Sequence, residues 1–172
     1  DEDEFFVGKR ELLTAGNVPK PIQTGFEMMA LLKENRIKVI KAKKDSRFGL
    51  IATKSEKEIV LLTYNYEESE SEKITGYNEI KIELNGLKKS TSYQIKTIIL
   101  DKESNNTYQK WIEMGSPKNS KSINLSQIKK AGNLTYNKII NFKTDDEGKI
   151  SFDLPLRKRS AKLMIIKMNQ IP

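Results

Sequence analysis

The sequence predicts an all-β fold: an antiparallel β-sandwich of about eight strands with an N-terminal helix and a long, partly helical insertion. Three observations lead to this prediction. Most of the chain after residue 35 alternates apolar and polar side chains, the segment before it repeats with a helical period, and one connection is far longer than the others. The 172 residues are enough for one domain plus a fragment of another.

The N-terminal helix is predicted to begin where Pro19 and Pro21 bracket Lys20, because proline is tolerated in the first helical turn. The short apolar run from Glu4 to Val7 is typical of a strand end or of a loop entering a strand. The helix is expected to extend to Leu32 and to bury a wide apolar face. The apolar positions that define this face are Ile22, Phe26, Met29 and Leu32.

The remaining elements are strands separated by turn-forming clusters such as Lys44-Asp45-Ser46, Asn85-Gly86 and residues 145–148. Glu58 to Tyr66 is the most apolar of them and is expected to lie centrally, covered on both faces. The acidic segment from Glu67 to Lys73 is expected to be an exposed loop. The predicted strands are Arg36 to Lys43, Phe48 to Thr53, Glu58 to Tyr66, Glu79 to Leu84, Tyr93 to Leu100, Leu134 to Phe142, Lys149 to Leu154 and Ala161 to Met168.

The long connection between Leu100 and Leu134 contains Trp111, the only tryptophan. Because connections usually have about 4–6 residues, a loop of this length is expected to have structure of its own. Short helices are predicted over Tyr108 to Met114 and over Ser126 to Ala131, the second ending at Gly132. We expect the Trp111 ring to be largely buried and to anchor the connection.

The composition excludes several classes of enzyme. The chain has no histidine and no cysteine, so it can form no Ser-His-Asp triad, no Cys-His nucleophile, no disulfide and no zinc site of the usual nitrogen and sulfur ligands. Neither a metal nor a cofactor is expected. The acidic clusters are candidate catalytic pairs, but their polar, turn-like surroundings favour solvated loops. These carboxylates are Glu67, Glu68, Glu70, Glu72, Asp145, Asp146 and Glu147.

The net charge of +8 does not by itself indicate nucleic-acid binding. Lysines outnumber arginines 26 to 5, whereas base-reading sites depend on the arginine fork. The basic clusters from Arg36 to Lys44 and from Arg157 to Lys162 alternate with apolar residues, as on the solvated side of a strand. No nucleic-acid or membrane contact is expected, and the localisation is predicted to be cytoplasmic.

The long connection also carries a recognisable spacing of residues. It resembles the C-terminal region of glycoside hydrolase family 39, the family of β-xylosidases and α-L-iduronidases. The residues that match are Asp101, Asn106, Tyr108, Trp111, Met114, Gly115 and Pro117.

A second, independent stretch is similar to the segment that closes the catalytic barrel of the same family and opens its last helix. Its matching residues are Gly8, Leu12, Leu13, Thr14, Gly16, Pro19, Lys20, Pro21 and Phe26. The resemblance implies two parts: residues 1–34 as the end of a (β/α)8 barrel, and residues 35–172 as a β-sandwich accessory domain. A complete barrel needs about 250 residues, so it does not fit in this chain.

The resemblance further implies that the catalytic carboxyl groups come from barrel strands four and seven, which would lie upstream of Asp1. No position here matches either, so the chain itself is predicted not to be an enzyme, although a parent could be a retaining glycosidase. The sequence departs from the family's Gly-Gly-Phe-Gly at Lys9, Arg10 and Glu11. Charged residues at these positions disfavour a functional sugar site and favour an alternative parent with a degenerate barrel. Similar segments resemble the C-terminal portions of some AraC-type transcriptional regulators.

Three functions therefore remain open: an accessory domain of a family 39-like glycosidase that packs against its barrel, a sensing or assembly domain of an AraC-type regulator with a degenerate barrel, and a carbohydrate-binding module. Homo-oligomers could form through the apolar helix face. For the third function ordinary packing of the aromatic residues is the favoured interpretation. Those aromatic candidates are Tyr64, Tyr66, Tyr77, Tyr93 and Trp111.

Overall fold

The computed structural model describes residues 5–6, 11–14, 16–41, 47–67, 76–118 and 124–169. Within them the chain forms eight strands and three helices, which divide into two compact units. The helical unit combines Asp1–Ala30 with Leu100–Thr135, and the sandwich unit combines Leu31–Ile99 with Tyr136–Pro172. Among the described residues, no helix is long and apolar enough to cross a lipid bilayer.

The strands form two antiparallel sheets, which confirms the predicted all-β class. A six-stranded sheet has the order β1-β2-β3-β8-β5-β6, and a two-stranded sheet pairs β4 with β7. Alternation of apolar and polar residues along most strands puts one apolar row of each sheet on the inside. The bounds are β1 Asn35–Arg36, β2 Phe48–Lys54, β3 Glu58–Asn65, β4 Tyr77–Leu84, β5 Ser92–Leu100, β6 Lys138–Lys143, β7 Ile150–Arg157 and β8 Ser160–Met168.

The core of the sandwich unit lies between the two sheets. β3 is one of the two central strands of the large sheet, flanked by β2 and β8. Four consecutive residues of β3, from Val60 to Thr63, are buried, so both faces of this part of the strand are covered as the sequence predicted, whereas Tyr64 near its end is exposed. The buried members of the core are Ala52, Leu61, Ile82, Tyr93, Ile95, Ile150, Leu154, Met164 and Ile166.

Two strand predictions were wrong in their extent. The described part of the strand predicted from Arg36 to Lys43 ends at Lys41, and within it only Arg36 is in a strand. The last ladder-like bond runs from Ile37 N–H to the Ala52 carbonyl. Ile37 and Val39 still pack on the core, so the alternation reflects side-chain packing without a continued ladder. Residues 42–46, with their predicted turn, and residues 68–75 lie outside the described residues.

The strand predicted from Leu134 begins only at Lys138. The side chain of Asn105 explains the difference, because its Oδ1 accepts hydrogen bonds from the backbone N–H and the hydroxyl of Thr135, at 3.1 and 3.0 Å. These bonds fix the backbone at Thr135, and the pairing with β5 begins only at Asn137, whose N–H donates to the Thr97 carbonyl at 2.8 Å. Asn105 itself has a positive φ of 53°, a conformation that asparagine tolerates better than most residues.

The helical unit contains α1 (Pro21–Ala30), α2 (Thr107–Glu113) and α3 (Leu125–Ala131). The described part of the long connection carries two short helices, as predicted. The first helix is shorter at both ends than expected, because Pro19 forms an isolated bridge with Leu13 and the helix ends at Ala30 rather than Leu32. Phe5 and Phe6 lie in a turn, not in a strand; Glu4 and Val7 are outside the described residues.

A small apolar cluster holds the helical unit together. Phe5, Val18 and Ile128 are fully or almost fully buried, and the partly buried Trp111 and Leu125 pack against them. Phe6 and Met114 also contact this cluster. Among the described residues, this cluster joins segments that are far apart in the sequence.

Candidate functional site

The residues that suggested the family lie in the helical unit, and most of them shape its backbone. Asp101 Oδ1 accepts hydrogen bonds from the backbone N–H groups of Glu103 and Ser104, both at 2.8 Å. Asn106 donates from its side-chain nitrogen to the Asp101 carbonyl at 2.9 Å and caps α2 by accepting from Gln109 N–H at 3.1 Å. The Asp and Asn of the motif thus build the turn that starts α2.

The far end of α2 is closed by a Schellman motif. Gly115 N–H donates to the Ile112 carbonyl at 2.9 Å and Ser116 N–H donates to the Trp111 carbonyl at 3.1 Å. Gly115 has a φ of +86°, which glycine adopts without the steric cost that a Cβ atom would bring. Met114 is the C-cap residue. The Met-Gly pair of the motif is therefore explained by helix termination.

Trp111 lies at the centre of an aromatic group on this side of the unit. Its ring centroid is 5.2 Å from that of Phe6 and 5.5 Å from that of Tyr108, and its indole N–H donates to the Pro117 carbonyl at 3.0 Å. Trp111 is partly buried and packs against the apolar cluster formed by Phe5, Val18 and Ile128. The ring anchors the segment after α2, because the same side chain contacts Phe6 and donates a hydrogen bond to the Pro117 carbonyl.

The two matching stretches meet in space. The hydroxyl of Thr107, which is fully buried, donates to the Pro19 carbonyl at 2.5 Å, joining positions 88 residues apart. The backbone before Pro19 is itself fixed, since Thr14 N–H donates to the Val18 carbonyl at 2.9 Å and Lys20 N–H to the Leu12 carbonyl at 2.8 Å. Lys20 is buried, and Pro21 is the first residue of α1.

Sequence reasoning missed the roles of Thr107 and Gly132. A Cβ atom on Gly132 would lie 2.6 Å from Thr107 Cγ2, so the end of α3 approaches the start of α2 too closely for any other residue. Gly132 has a φ of −94° and therefore does not adopt the left-handed conformation expected of a helix-ending glycine. The sequence correctly placed Gly132 at the end of α3. The glycine is needed there because Thr107 lies so close to it, and no local sequence pattern reveals that contact.

The exposed face of α1 is formed by Ile22, Phe26 and Met29, which lie within one narrow stripe by helical spacing. Their side chains are 57%, 48% and 48% exposed, whereas Thr24 and Met28 on the opposite side are buried. The helix thus buries a face, but not the face formed by its large apolar positions. An exposed apolar stripe of this kind is typical of a surface that another polypeptide covers.

The acidic clusters stabilise turns. Asp145 Oδ1 accepts from the backbone N–H groups of Glu147 and Lys149 at 3.0 and 2.8 Å, and Asp146 accepts from the Ser90 hydroxyl at 2.6 Å. Glu67 lies 3.7 Å from the Lys158 ammonium. Glu68, Glu70 and Glu72 fall outside the described residues.

Two other carboxyl groups have shifted pKa values, both lowered. Burial acts to raise the pKa of Glu58, but hydrogen bonds and charge attraction from Lys167, at 2.8 Å, and from Lys33 outweigh it. A hydrogen bond from Lys149, at 3.3 Å, lowers the pKa of the Glu83 carboxyl. A general acid needs the opposite shift, so neither group is suited to protonate a leaving group.

The aromatic candidates divide into buried and exposed members. Tyr93 is buried in the sandwich core, and its hydroxyl accepts from Lys88 N–H at 3.1 Å. Tyr64, Tyr66 and Tyr77 are exposed. Among the described residues, no group of three or more acidic side chains is placed to hold a metal ion.

The comparisons with known proteins agree with this architecture. The family model of Glycosyl hydrolases family 39 matches residues 3–145. A β-xylosidase of Caldicellulosiruptor saccharolyticus is 28% identical over 162 residues, which cover 94% of this chain and 32% of that protein.

Solved structures of the same family share the fold. An enzyme of glycoside hydrolase family 39 from Xanthomonas axonopodis pv. citri superposes with a TM-score of 0.76 at 14% identity, over 96% of this chain and 33% of its own. A monomeric β-xylosidase from Caulobacter crescentus CB15 gives 0.75 at 16% identity, over 96% and 34%. The chain spans about a third of the length of these relatives. With most of its sequence matched by the family model, this chain belongs to glycosyl hydrolase family 39.

Proposed function

We propose that this chain is the non-catalytic C-terminal part of a family 39 glycoside hydrolase and that it acts by packing against a catalytic barrel formed by the rest of the enzyme. In this proposal residues 1–34 are the end of the barrel and residues 35–172 are the accessory sandwich. The chain covers only 32% of the β-xylosidase it matches, and a (β/α)8 barrel of about 250 residues accounts for most of the remainder.

The exposed face of α1 is the observation on which the proposal rests. Ile22, Phe26 and Met29 expose about half of their apolar surface in a helix whose other face is buried. Leu12 and Leu13, beside the bridge to Pro19, are also exposed. Burial of such side chains stabilises an association by about 25 cal/mol for each Å² removed from water. The barrel would supply the surface that covers them.

The carboxylates support a non-catalytic role for the chain. A retaining glycosidase needs two carboxyl groups about 5–5.5 Å apart, one acting as nucleophile and one as acid and base with a raised pKa. The carboxylates of the acidic clusters are used in turns, and the shifted ones are held ionised by lysines. Hydrolysis, with a β-xyloside as the proposed substrate class, would be carried out by carboxyl groups of the barrel.

The test is to restore the missing part in trans. The barrel encoded upstream is expressed separately and mixed with this chain, and turnover of a chromogenic xyloside is measured together with complex formation by sedimentation. We expect no turnover by the chain alone, and a complex whose formation increases activity. Phe26→Asp should prevent the complex, whereas Ile40→Asp, at an 83% exposed position of the sandwich unit, should not.

Two outcomes would contradict the proposal. One is turnover of the xyloside by the chain alone. The other is an active barrel that neither binds the chain nor gains stability from it. If the chain instead forms dimers that Phe26→Asp dissociates, the exposed face of α1 serves self-association.

The regulator hypothesis rests on the departure at Lys9 to Glu11. The relatives described above carry the names of glycosidases, which favours the enzyme. Two glutamates at the barrel positions upstream would support the enzyme, and a helix-turn-helix pair without them would support the regulator.

A further inference from the structure

We propose that the end of β3 carries a secondary binding site for a neutral β-linked glycan, formed by the side chains of Tyr64 and Tyr66. The two residues are called the tyrosine platform below. The class of ligand rests on the proposed function, since a polymer of β-linked pyranoses is the substrate class of a β-xylosidase-like parent. The platform itself is argued from the sandwich unit alone.

Tyr64 is held flat on the sheet by its neighbours. It pairs across the ladder with Gly49 of β2 on one side and Ala161 of β8 on the other. A Cβ atom on Gly49 would lie 1.9 Å from Tyr64 Cε1 and 2.0 Å from Cζ, so the ring occupies the space that a side chain at Gly49 would fill. Gly49 is buried, whereas Tyr64 is 43% exposed. One face of the ring therefore covers the glycine and the other is open to solvent.

Tyr66 extends the platform along the same strand direction. Its N–H donates to the Arg47 carbonyl at 2.7 Å, which continues the β2–β3 ladder past the end of β3. Because side chains alternate along a strand, Tyr66 falls on the same face as Tyr64, about 6.5–7 Å further on. It is 56% exposed. Two exposed aromatic side chains thus lie one after the other along one face of the strand.

The chemistry of this surface suits a sugar better than a protein. Tyrosine combines an apolar ring face with a polar hydroxyl, and a pyranose combines an apolar C–H face with a rim of hydroxyls. The platform is flanked by Gly49 and Ala161, which offer no large aliphatic anchor. The exposed aliphatic side chains that share one helix face, Ile22 and Met29, lie in the helical unit instead. A protein partner is therefore expected at α1 and a glycan at the platform.

The other exposed tyrosines of the sandwich unit, Tyr77 and Tyr136, are engaged differently. Tyr77 lies under the Arg157 guanidinium, 5.2 Å from its ring centroid, and its hydroxyl accepts from Arg157 at 2.7 Å. Tyr136 has the Lys96 ammonium 5.5 Å from its ring centroid. In both cases a cation is placed near the ring. Tyr136, which is 54% exposed, provides a matched control for the platform.

The experiment titrates xylohexaose into the full 172-residue chain and follows backbone amide shifts by NMR. We expect saturable shifts centred on Gly49, Tyr64 and Tyr66. Tyr64→Ala should weaken binding about three- to tenfold, the value of one stacked ring, while Tyr64→Phe and Tyr136→Ala should leave the Kd unchanged. Gly49→Ala should weaken binding with both tyrosines still present, because the new methyl group displaces the Tyr64 ring.

Melting temperatures and amide spectra of all variants establish that they are folded. Absence of saturable shifts up to about 10 mM ligand, or an unchanged Kd in Tyr64→Ala, overturns the proposal. The two proposals fail separately: Phe26→Asp should abolish the complex with the barrel and leave glycan binding intact. If Tyr64→Ala breaks the complex with the barrel, the platform belongs to the domain interface, and the glycan site is refuted while the accessory role stands.

Discussion

The two units of this chain are stabilised in different ways. The sandwich unit has nine buried residues in the cluster between its sheets, and β3 and β8 pair over eight positions. The helical unit has a cluster of three buried residues and depends on capping side chains, on the Thr107–Pro19 hydrogen bond and on Trp111. It also exposes much of the apolar face of α1. Among the described residues the larger buried cluster thus lies in the sandwich unit, and the exposed apolar stripe of α1 in the helical unit fits the proposed contact with a barrel.

Removing a core side chain of β3 should have the largest effect. Leu61 is fully buried between Ala52 and Met164. Leu61→Ala is expected to lower the free energy of unfolding by about 2–5 kcal/mol, measured by urea denaturation, since it leaves a cavity in the better-packed unit. Ile40→Ala, at an exposed position, should change it by less than about 0.5 kcal/mol. Equal effects would mean that the core between the sheets does not govern stability.

Removing the Trp111 ring should destabilise the helical unit selectively. Because Trp111 is partly buried, Trp111→Ala should cost less than the about 3–5 kcal/mol of a fully buried tryptophan. Hydrogen exchange should show faster exchange at α2 and unchanged protection at β3. In the unaltered chain, the amides of α1 should already exchange faster than those of β3.

The control for this experiment is Trp111→Phe, which keeps an aromatic ring and loses the hydrogen bond to the Pro117 carbonyl. The stability of this variant and its hydrogen-exchange protection at α2 should fall between those of the wild type and of the alanine variant. A loss of protection at β3 as large as at α2 would show that the two units unfold together, and the comparison between them would then fail.

Two glycines of the helical unit should respond to alanine with opposite signs. Gly132→Ala places a methyl group 2.6 Å from Thr107 Cγ2 and should destabilise by about 1–3 kcal/mol through overpacking. Gly25 lies within α1. A Cβ atom added there would have Leu100 Cδ2 as its nearest neighbour, at an ordinary contact distance of 3.8 Å. Gly25→Ala should therefore stabilise by about 0.5–1 kcal/mol. Thermal melting of the two variants checks the signs, and a stabilising Gly132→Ala would contradict the close approach of α2 and α3.

The smallest expected effect concerns the Glu58 ion pairs and depends on pH. Because the folded-state pKa of Glu58 is lowered, its contribution is present above the ordinary carboxyl pKa of about 4.3 and is lost as the pH falls through the folded value. The raised pKa of Lys167, caused by Glu58, makes the same contribution disappear in strong alkali, as the pH rises through the folded value.

Glu58→Gln should therefore lower the free energy of unfolding by at most about 1 kcal/mol near neutral pH, and the difference from wild type should vanish in acid. Glu56→Gln removes one charge from the same turn and serves as the control. Urea denaturation at pH 3 and pH 7 distinguishes them. A difference that persists at pH 3 would assign the effect to packing.

The sequence predicted the strands well where two sheets enclose them, because burial between sheets imposes the alternation seen from Glu79 to Leu84. It failed after Ile37, where side chains still alternate although the hydrogen-bonded ladder with β2 has ended. In the helical unit the family spacing located Asn106, Trp111 and Gly115, whose roles are local. The hydrogen bond from Thr107 to Pro19 connects residues 88 positions apart, so no local sequence pattern could predict it.

The way the chain alternates between its units has a consequence for synthesis on the ribosome. Phe5 and Val18 emerge more than 100 positions before Ile128, the residue that completes their cluster. Long-range closure of this kind slows folding, and the apolar N-terminal segment stays open during the delay. A nascent chain would therefore present this segment to chaperones, or to an already folded barrel, before its own partner residues exist.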